Sequence, residues 1–228
     1  MFSRSTALLG EESMALLQSK RVILFGIGGV GSWCAEALIR TGLMHLTIVD
    51  GDTVQPSNLN RQLPATQATL GMSKVEALKE RLLAINPQAE IIARCEMVNG
   101  EWLEANGLKG YDYVIDAIDS VADKTDLILY ASRVRALKVF SSMGAALRFD
   151  PTQVRVAELF DVKGDALAKA VRARMKKIGQ HPNKKIRCVY SLEQAQRCEE
   201  RGSLMQVTAV FGCTLAGLVI EDVKRITQ

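Results

Sequence analysis

RVILFGIGGVG (residues 21–31), LTIVDGD (46–52) and NLNRQ (58–62) decide how this chain folds. Val22 to Phe25 form an apolar run of strand length that leads directly into Gly26, Gly28, Gly29 and Gly31, after which Ser32 to Arg40 carry helical spacing. Strand, tight turn and helix in that order build a nucleotide-phosphate site. Glycine supplies the positive φ the turn needs and the bare backbone that a phosphate can approach, while the helix amides and dipole face the negative charge. A second apolar run, Leu46 to Val49, ends in Asp50, nineteen residues after Gly31, where a carboxylate can accept from ribose hydroxyls. Asp52 either joins it or caps the loop that follows. Nicotinamide, flavin, methyl-donor and ATP enzymes all use such a turn, so it establishes a bound nucleotide and no more.

Outward from this stretch, strands expected at 21–26, 45–50, 89–94, 111–116 and 138–142 are interleaved with helices at 31–41, about 71–84 and about 122–135. That alternation implies right-handed crossovers and an α/β fold, a Rossmann-like, mostly parallel sheet flanked by helices. After Gly144 the pattern changes. Ala145 to Phe149 and Gln153 to Leu159, separated by Asp150-Pro151, read as an antiparallel hairpin that extends the sheet at its edge. A strand at about 187–192 and a helix at about 207–226 complete the chain. At 228 residues and 48% hydrophobic, the chain can bury one full α/β core, so residues 1–228 read as a single domain.

The five cysteines, Cys34, Cys95, Cys188, Cys198 and Cys213, form no CxxC pair and are odd in number, which fits a reducing cytoplasm better than a disulfide framework or a zinc knuckle. Residues 1–13 lack the apolar core of a signal peptide. Leu204 to Ile220 is apolar enough to raise the question of a membrane span, but Gln206 and two glycines dilute it and Glu221 follows at once, so a buried core helix is expected. The net charge of +4 is mild, yet it is unevenly spread. Residues 163–187 hold nine Lys or Arg against one acid, Asp165, and read as a basic insertion suited to an acidic partner.

Several residues can carry chemistry. Arg61 and Lys74 are cations where the chain returns over the nucleotide, as a phosphate under attack requires. Asn58 can orient a phosphate through its amide or cap a turn. Asp116 and Asp119 lie where the strand of Tyr111 to Ile115 ends, on the ligand edge of a parallel sheet, so either can reach a triphosphate and its Mg²⁺; Asp119 can equally cap the next helix. Arg4 lies in a polar segment with no evident duty within the chain. Cys188 is a candidate thiol nucleophile, although an ordinary half-buried cysteine explains it as well, and His45 and His181 are too isolated for a triad. A hydride-transfer enzyme, which the glycine turn and Asp50 alone would allow, has no use for Arg61, Lys74 or Asp119.

Taken together and in order, GIGGVGS, VDGDTVQPSNLNRQ, GMSK and DAID resemble the ubiquitin-activating-enzyme-like (HesA/MoeB/ThiF) superfamily of adenylating enzymes. Within it, FSR with LLG, GVGSWCAEALIRTG, AINP, VIDAIDSV and CVYSLE look most like the tRNA threonylcarbamoyladenosine dehydratase branch. The resemblance implies that Gly26, Gly28, Gly29 and Gly31 cradle ATP, that Asp50 holds its ribose, that Asn58, Arg61 and Lys74 contact phosphates, and that Asp119 binds Mg²⁺. It implies a homodimer in which Arg4 reaches the neighbouring subunit's site, a tRNA substrate held in part by 163–187, and room for a sulfur-transfer partner. The paired CxxC motifs of sulfur-carrier activators are missing, which weighs against a ubiquitin-like carrier protein as the substrate.

Overall fold

The computed structural model describes residues 1–199 and 202–228. Its centre is a seven-stranded sheet: β1 (Arg21–Phe25), β2 (His45–Val49), β3 (Glu90–Arg94), β4 (Tyr113–Asp116), β5 (Lys138–Ser142), β6 (Val154–Glu158) and β7 (Arg187–Ser191). The spatial order is β3-β2-β1-β4-β5-β7-β6, parallel throughout except for β6, which runs antiparallel to β7. This is the Rossmann-like α/β sheet with an antiparallel edge that the strand spacing implied. The inner strands read as continuous apolar runs because helices cover both faces.

Side chains of β1 alternate between two cores, as the pleat demands. Val22 and Leu24 join the cluster beneath α2 (Glu11–Ser19), α3 (Gly31–Thr41), α4 (Lys74–Ile85) and α8 (Met205–Ile226). Ile23 and Phe25 join the opposite cluster beneath α5 (Gly100–Asn106), α6 (Val121–Arg133) and α7 (Ala166–Lys177). The long apolar helix α8 is a core element, as read: it buries Val207, Phe211, Leu215 and Val219 at helical spacing. Gly212 lets it pack tightly on the start of α3, since a Cβ there would lie 2.4 Å from the carbonyl oxygen of Val30.

One local expectation changes. Residues 145–149 do not pair with the following strand; β6 takes β7 as its partner instead, in the register Val154 to Ser191 through Glu158 to Arg187. Buried Arg148 explains the difference, because its Nε donates to the Gly144 carbonyl at 2.9 Å and its Nη2 to Asp165 at 3.0 Å, holding this segment out of the sheet. The polar N-terminus is helical, with Arg4 inside α1 (Ser3–Leu9). The basic stretch is woven into the fold, since α7 buries Ala168, Val171 and Met175 against the second core.

Candidate active site

Strand order reverses between β1 and β4, and a crevice opens above the carboxyl ends of the strands at such a switch point. Here it is a cleft of about 430 Å³. The turn after β1 forms its floor. Gly26 has φ +87°, and a Cβ on it would sit 2.7 Å from the Ala117 carbonyl oxygen, so the loops after β1 and β4 can meet only over glycine. Gly28 and Gly29 face the cleft. Gly31 lies behind it: a Cβ there would meet the Gly26 oxygen at 1.8 Å, so this glycine closes the turn and does not line the cleft.

Asp50, at the end of β2, accepts from the Ile27 amide at 2.6 Å and from the Asp52 amide at 2.9 Å, which locks its carboxylate beside the glycine turn. Lys74 stands at the first turn of α4 and is 94% buried. Its ammonium lies 2.6 Å from Asp52 Oδ2 and 3.9 Å from Asp50 Oδ1, so one cation bridges both carboxylates at the cleft wall. The short turn of Pro56–Asn58 delivers the next group. Asn58 Oδ1 accepts from the Gln55 amide at 3.0 Å, which fixes the buried side chain. Arg61 donates from Nη1 to the Ser57 carbonyl and to Asn60 Oδ1, both at 2.8 Å, and lines the cleft next to Gly29.

The DAID pair separates cleanly. Asp116 is fully buried and turned away from the cleft, accepting from Lys124 Nζ and Ser141 Oγ, both at 2.6 Å. Asp119 is exposed on the cleft lining and makes no hydrogen bond or ion pair among the described residues. The cap of α6 is Ser120, which leaves the Asp119 carboxylate available. Asp123 lines the cleft one helical turn further on.

Arg4 lies outside its own cleft. It is exposed on α1, and neighbouring Phe2 packs beside Gly42 at the far end of α3 from the glycine turn. Cys188 is fully buried in β7, where desolvation pushes its thiol well above the ordinary range; it is no nucleophile in this state. Cys198 is exposed and also lies outside the cleft lining.

Residues missed by the sequence reading complete the walls. Gln62 is 93% buried on the lining, its amide nitrogen toward Gly28 and its Oε1 without a hydrogen-bond partner. It ends the NLNRQ string, which was the available signal. Above β2 and β3, Glu96, Met97 and Val98 form one end of the cleft, where the Trp102 indole N–H donates to Glu96 and holds its carboxyl below the usual range. Above β5, Gly144, Ala145 and Ala146 with Leu167 and Ser203 form the other. These come from separate stretches of chain and carry no local motif.

Charge on the lining is informative. Asp50, Asp52, Glu96, Asp119 and Asp123 outnumber Arg61 and Lys74, so a bare triphosphate would enter a field of excess negative charge. A divalent cation carried on the phosphates removes that conflict, and Mg²⁺ asks for only one or two protein carboxylates, which Asp119 and Asp123 can supply. Among the described residues no group of three or more His, Cys, Asp or Glu is placed to hold a metal ion by itself.

The same architecture occurs in other proteins. A tRNA threonylcarbamoyladenosine dehydratase of Haemophilus influenzae is 35% identical, over 94% of this chain and 89% of its own. The crystal structure of the Escherichia coli tRNA N6-threonylcarbamoyladenosine dehydratase in complex with ATP superposes with a TM-score of 0.93 at 34% identity, covering 99% of this chain and 94% of that one. Its complex with AMP gives the same score and identity, over 99% and 95% of the two chains. The model of the ThiF family matches residues 2–227, and the chain belongs to that family.

Proposed function

We propose that this protein is an ATP-dependent tRNA threonylcarbamoyladenosine dehydratase, working through adenylation of the substrate's carboxylate. The observation that carries the reading is the convergence, in one cleft, of a ribose-type carboxylate (Asp50), a glycine turn, two fixed cations (Arg61, Lys74) and an unpaired carboxylate (Asp119). The relatives named above supply the substrate, and one of them is known with ATP and with AMP bound, the two ends of a reaction that cuts at the α-phosphorus.

In this reading Asp50 takes the ribose hydroxyls, Gly26, Gly28 and Gly29 admit the phosphates, Gly31 shapes that turn, and Asn58, Arg61 and Lys74 stabilise charge on the phosphate oxygens; Asp52 tethers Lys74. The substrate carboxylate is ionised at neutral pH and needs no general base. Its oxygen bonds to the α-phosphorus, the bond to the β-phosphate breaks, and pyrophosphate leaves with the charge that Arg61 and Lys74 face. The carbamoyl group then attacks the activated carbon, AMP departs carrying the carboxylate oxygen, and a proton is lost as the ring closes. Mg²⁺ on Asp119 neutralises phosphate charge when bound.

Incubation with ATP, Mg²⁺ and tRNA bearing threonylcarbamoyladenosine should yield nucleosides lighter by one water, as read by mass spectrometry. ATP–pyrophosphate exchange that needs a small carrier protein and ignores tRNA would instead assign the chain to carrier activation. NAD binding without ATP turnover would make it an oxidoreductase.

The active species in this proposal is a cytoplasmic homodimer of single-domain subunits, a location that suits five unpaired thiols. Arg4 supports the dimer: it is an exposed cation remote from its own cleft, on a helix that also exposes Leu8 (77%). If Arg4 completes the partner's site, heterodimers of Arg4→Ala with Asp119→Ala should regain activity that neither homodimer has. Verified heterodimers with no recovery would leave Arg4 as a surface residue.

A further inference from the structure

The two cations of the cleft are held in different ways. Lys74 is fixed by carboxylates, at 2.6 Å from Asp52 and 3.9 Å from Asp50. Arg61 has no carboxylate partner among the described residues, and its guanidinium is held only by its own loop, through the Ser57 carbonyl and Asn60 Oδ1 at 2.8 Å each. Where that guanidinium stands relative to the glycine turn therefore depends on what holds residues 60–63.

Among the described residues three hydrogen bonds tie 60–63 to chain outside this loop. Asn60 Nδ2 donates to the Ser203 carbonyl at 2.9 Å, in an exposed position. The other two come from neighbours in the first turn of α3, Ser32 and Trp33. The Trp33 indole N–H donates to the Arg61 carbonyl at 3.1 Å. Ser32 Oγ accepts from the Leu63 amide at 3.2 Å and donates to the Gly28 carbonyl at 2.7 Å, so one oxygen joins the glycine turn to the loop. The backbone is thus pinned on both sides of Gln62. Between these pins the stem of Arg61 crosses Gly29, where a Cβ would lie 3.2 Å from Arg61 Cγ.

Trp33 is itself well placed. Gly212 of α8 admits the start of its side chain, since a Cβ there would lie 2.8 Å from Trp33 Cβ. Its ring is half-buried, and an indole with one wet edge can satisfy its N–H with solvent. This one donates instead to the peptide that carries the phosphate-facing cation. Precision matters at that peptide, because a catalytic group displaced by about 1 Å can lose about 10²-fold in rate.

We propose that Trp33 is a positioning residue for the adenylation step: its N–H on the Arg61 carbonyl sets the loop so that the guanidinium meets the outer phosphates of ATP. Ser32 refers the glycine turn and the loop to the same helix start. The proposal rests on the adenylation reading and adds to it the group that places Arg61.

Binding of ATP and of AMP to the full-length protein tests it, because AMP lacks the phosphates that Arg61 faces. Trp33→Phe keeps an aromatic ring and removes the donor. It should raise the Kd for ATP about tenfold, as the loss of one well-placed hydrogen bond does, while the Kd for AMP stays within about twofold. Ser32→Ala should weaken both nucleotides, since its hydroxyl also holds Gly28. In an Arg61→Ala background, Trp33→Phe should change ATP affinity by less than about twofold, because nothing is left to position. Equal weakening of ATP and AMP by Trp33→Phe, or effects of Trp33→Phe and Arg61→Ala that simply multiply, would make Trp33 a packing residue and overturn the proposal. If Trp33→Phe unfolds the protein, benzothienylalanine at position 33 replaces the indole nitrogen by sulfur, removes the donor at nearly constant shape and carries the same expectations. A wild-type protein that binds neither nucleotide refutes the adenylation reading itself. Wild-type binding and turnover beside an unchanged ATP Kd in Trp33→Phe refute the positioning role alone.

Discussion

Lys74→Ala should lower kcat/KM for the ATP-dependent reaction by about 10²–10³-fold, the loss typical when one preorganised charge stabiliser is removed from a water-poor site. The expectation follows from how this ammonium is held. It is 94% buried at the first turn of α4, where its own backbone amide donates to the Asp52 carbonyl at 3.0 Å. Its Nζ sits between Asp52 and Asp50, at 2.6 and 3.9 Å, and so cannot swing away into solvent as a surface lysine would. A cation fixed in this way meets charge developing on a phosphate oxygen without reorganising. Stability should change far less than activity, because the side chain of Asp52 is 61% exposed and water takes over the abandoned carboxylate. Lys74→Arg keeps the charge but spreads it over a planar fork, and should recover only part of the rate. Single-turnover rates with saturating ATP, beside thermal melting, separate these effects. Turnover within threefold of wild type in a folded Lys74→Ala protein would take Lys74 out of the phosphate machinery.

Local chemistry was legible in the sequence wherever neighbouring residues cooperate. Gly26, Gly28 and Gly29 of the glycine turn, the aspartate closing β2, Asn58, Arg61 and Lys74 all fall on the lining of one cleft, because strand–turn–helix geometry places them there with little help from the rest of the chain. The same reasoning could not separate Asp116 from Asp119. Three residues apart, both end the same strand, and only packing shows that the first points into the sheet and the second into the cleft. Buried charges inside helices and loops stay hidden for a related reason: Lys124 in α6 and Arg148 after β5 carry no sequence mark of burial, yet they are 0% and 3% exposed. The expected 145–149 hairpin failed because alternating residues report a pleat and are blind to a buried guanidinium that anchors the segment elsewhere. The end of the cleft above β5 was the least readable. It is assembled from the end of β5, the first turn of α7 and the approach to α8, and no single window of sequence contains it.

Lys124→Met should destabilise the fold by about 3–5 kcal/mol, a large share of the stability of a domain, because it strands a buried carboxylate. Lys124 Nζ uses its three protons on Asp116 Oδ2 at 2.6 Å, the Ser142 carbonyl at 2.9 Å and Ser141 Oγ at 3.3 Å. Asp116 accepts in addition from Ser141 Oγ at 2.6 Å and from the Ile118 amide at 3.1 Å, and neither side chain of the pair is exposed. With the ammonium gone, two neutral donors are left to support a charge that water cannot reach. Adding Asp116→Asn to Lys124→Met removes that charge and should return at least half of the lost stability, a coupling that a pair without direct interaction would not show. Urea unfolding of both single variants and the double variant measures it, and a loss below 1 kcal/mol in Lys124→Met would contradict the buried pair. Activity should follow a different course. Ser142 and Ile118 are lining residues of the cleft, held in place by this same network, so the double variant can regain stability while the cleft wall at the ends of β4 and β5 stays loosened. A fold restored without its rate would show that the pair is retained for the geometry of the site, since an apolar replacement of similar volume would serve the core as well.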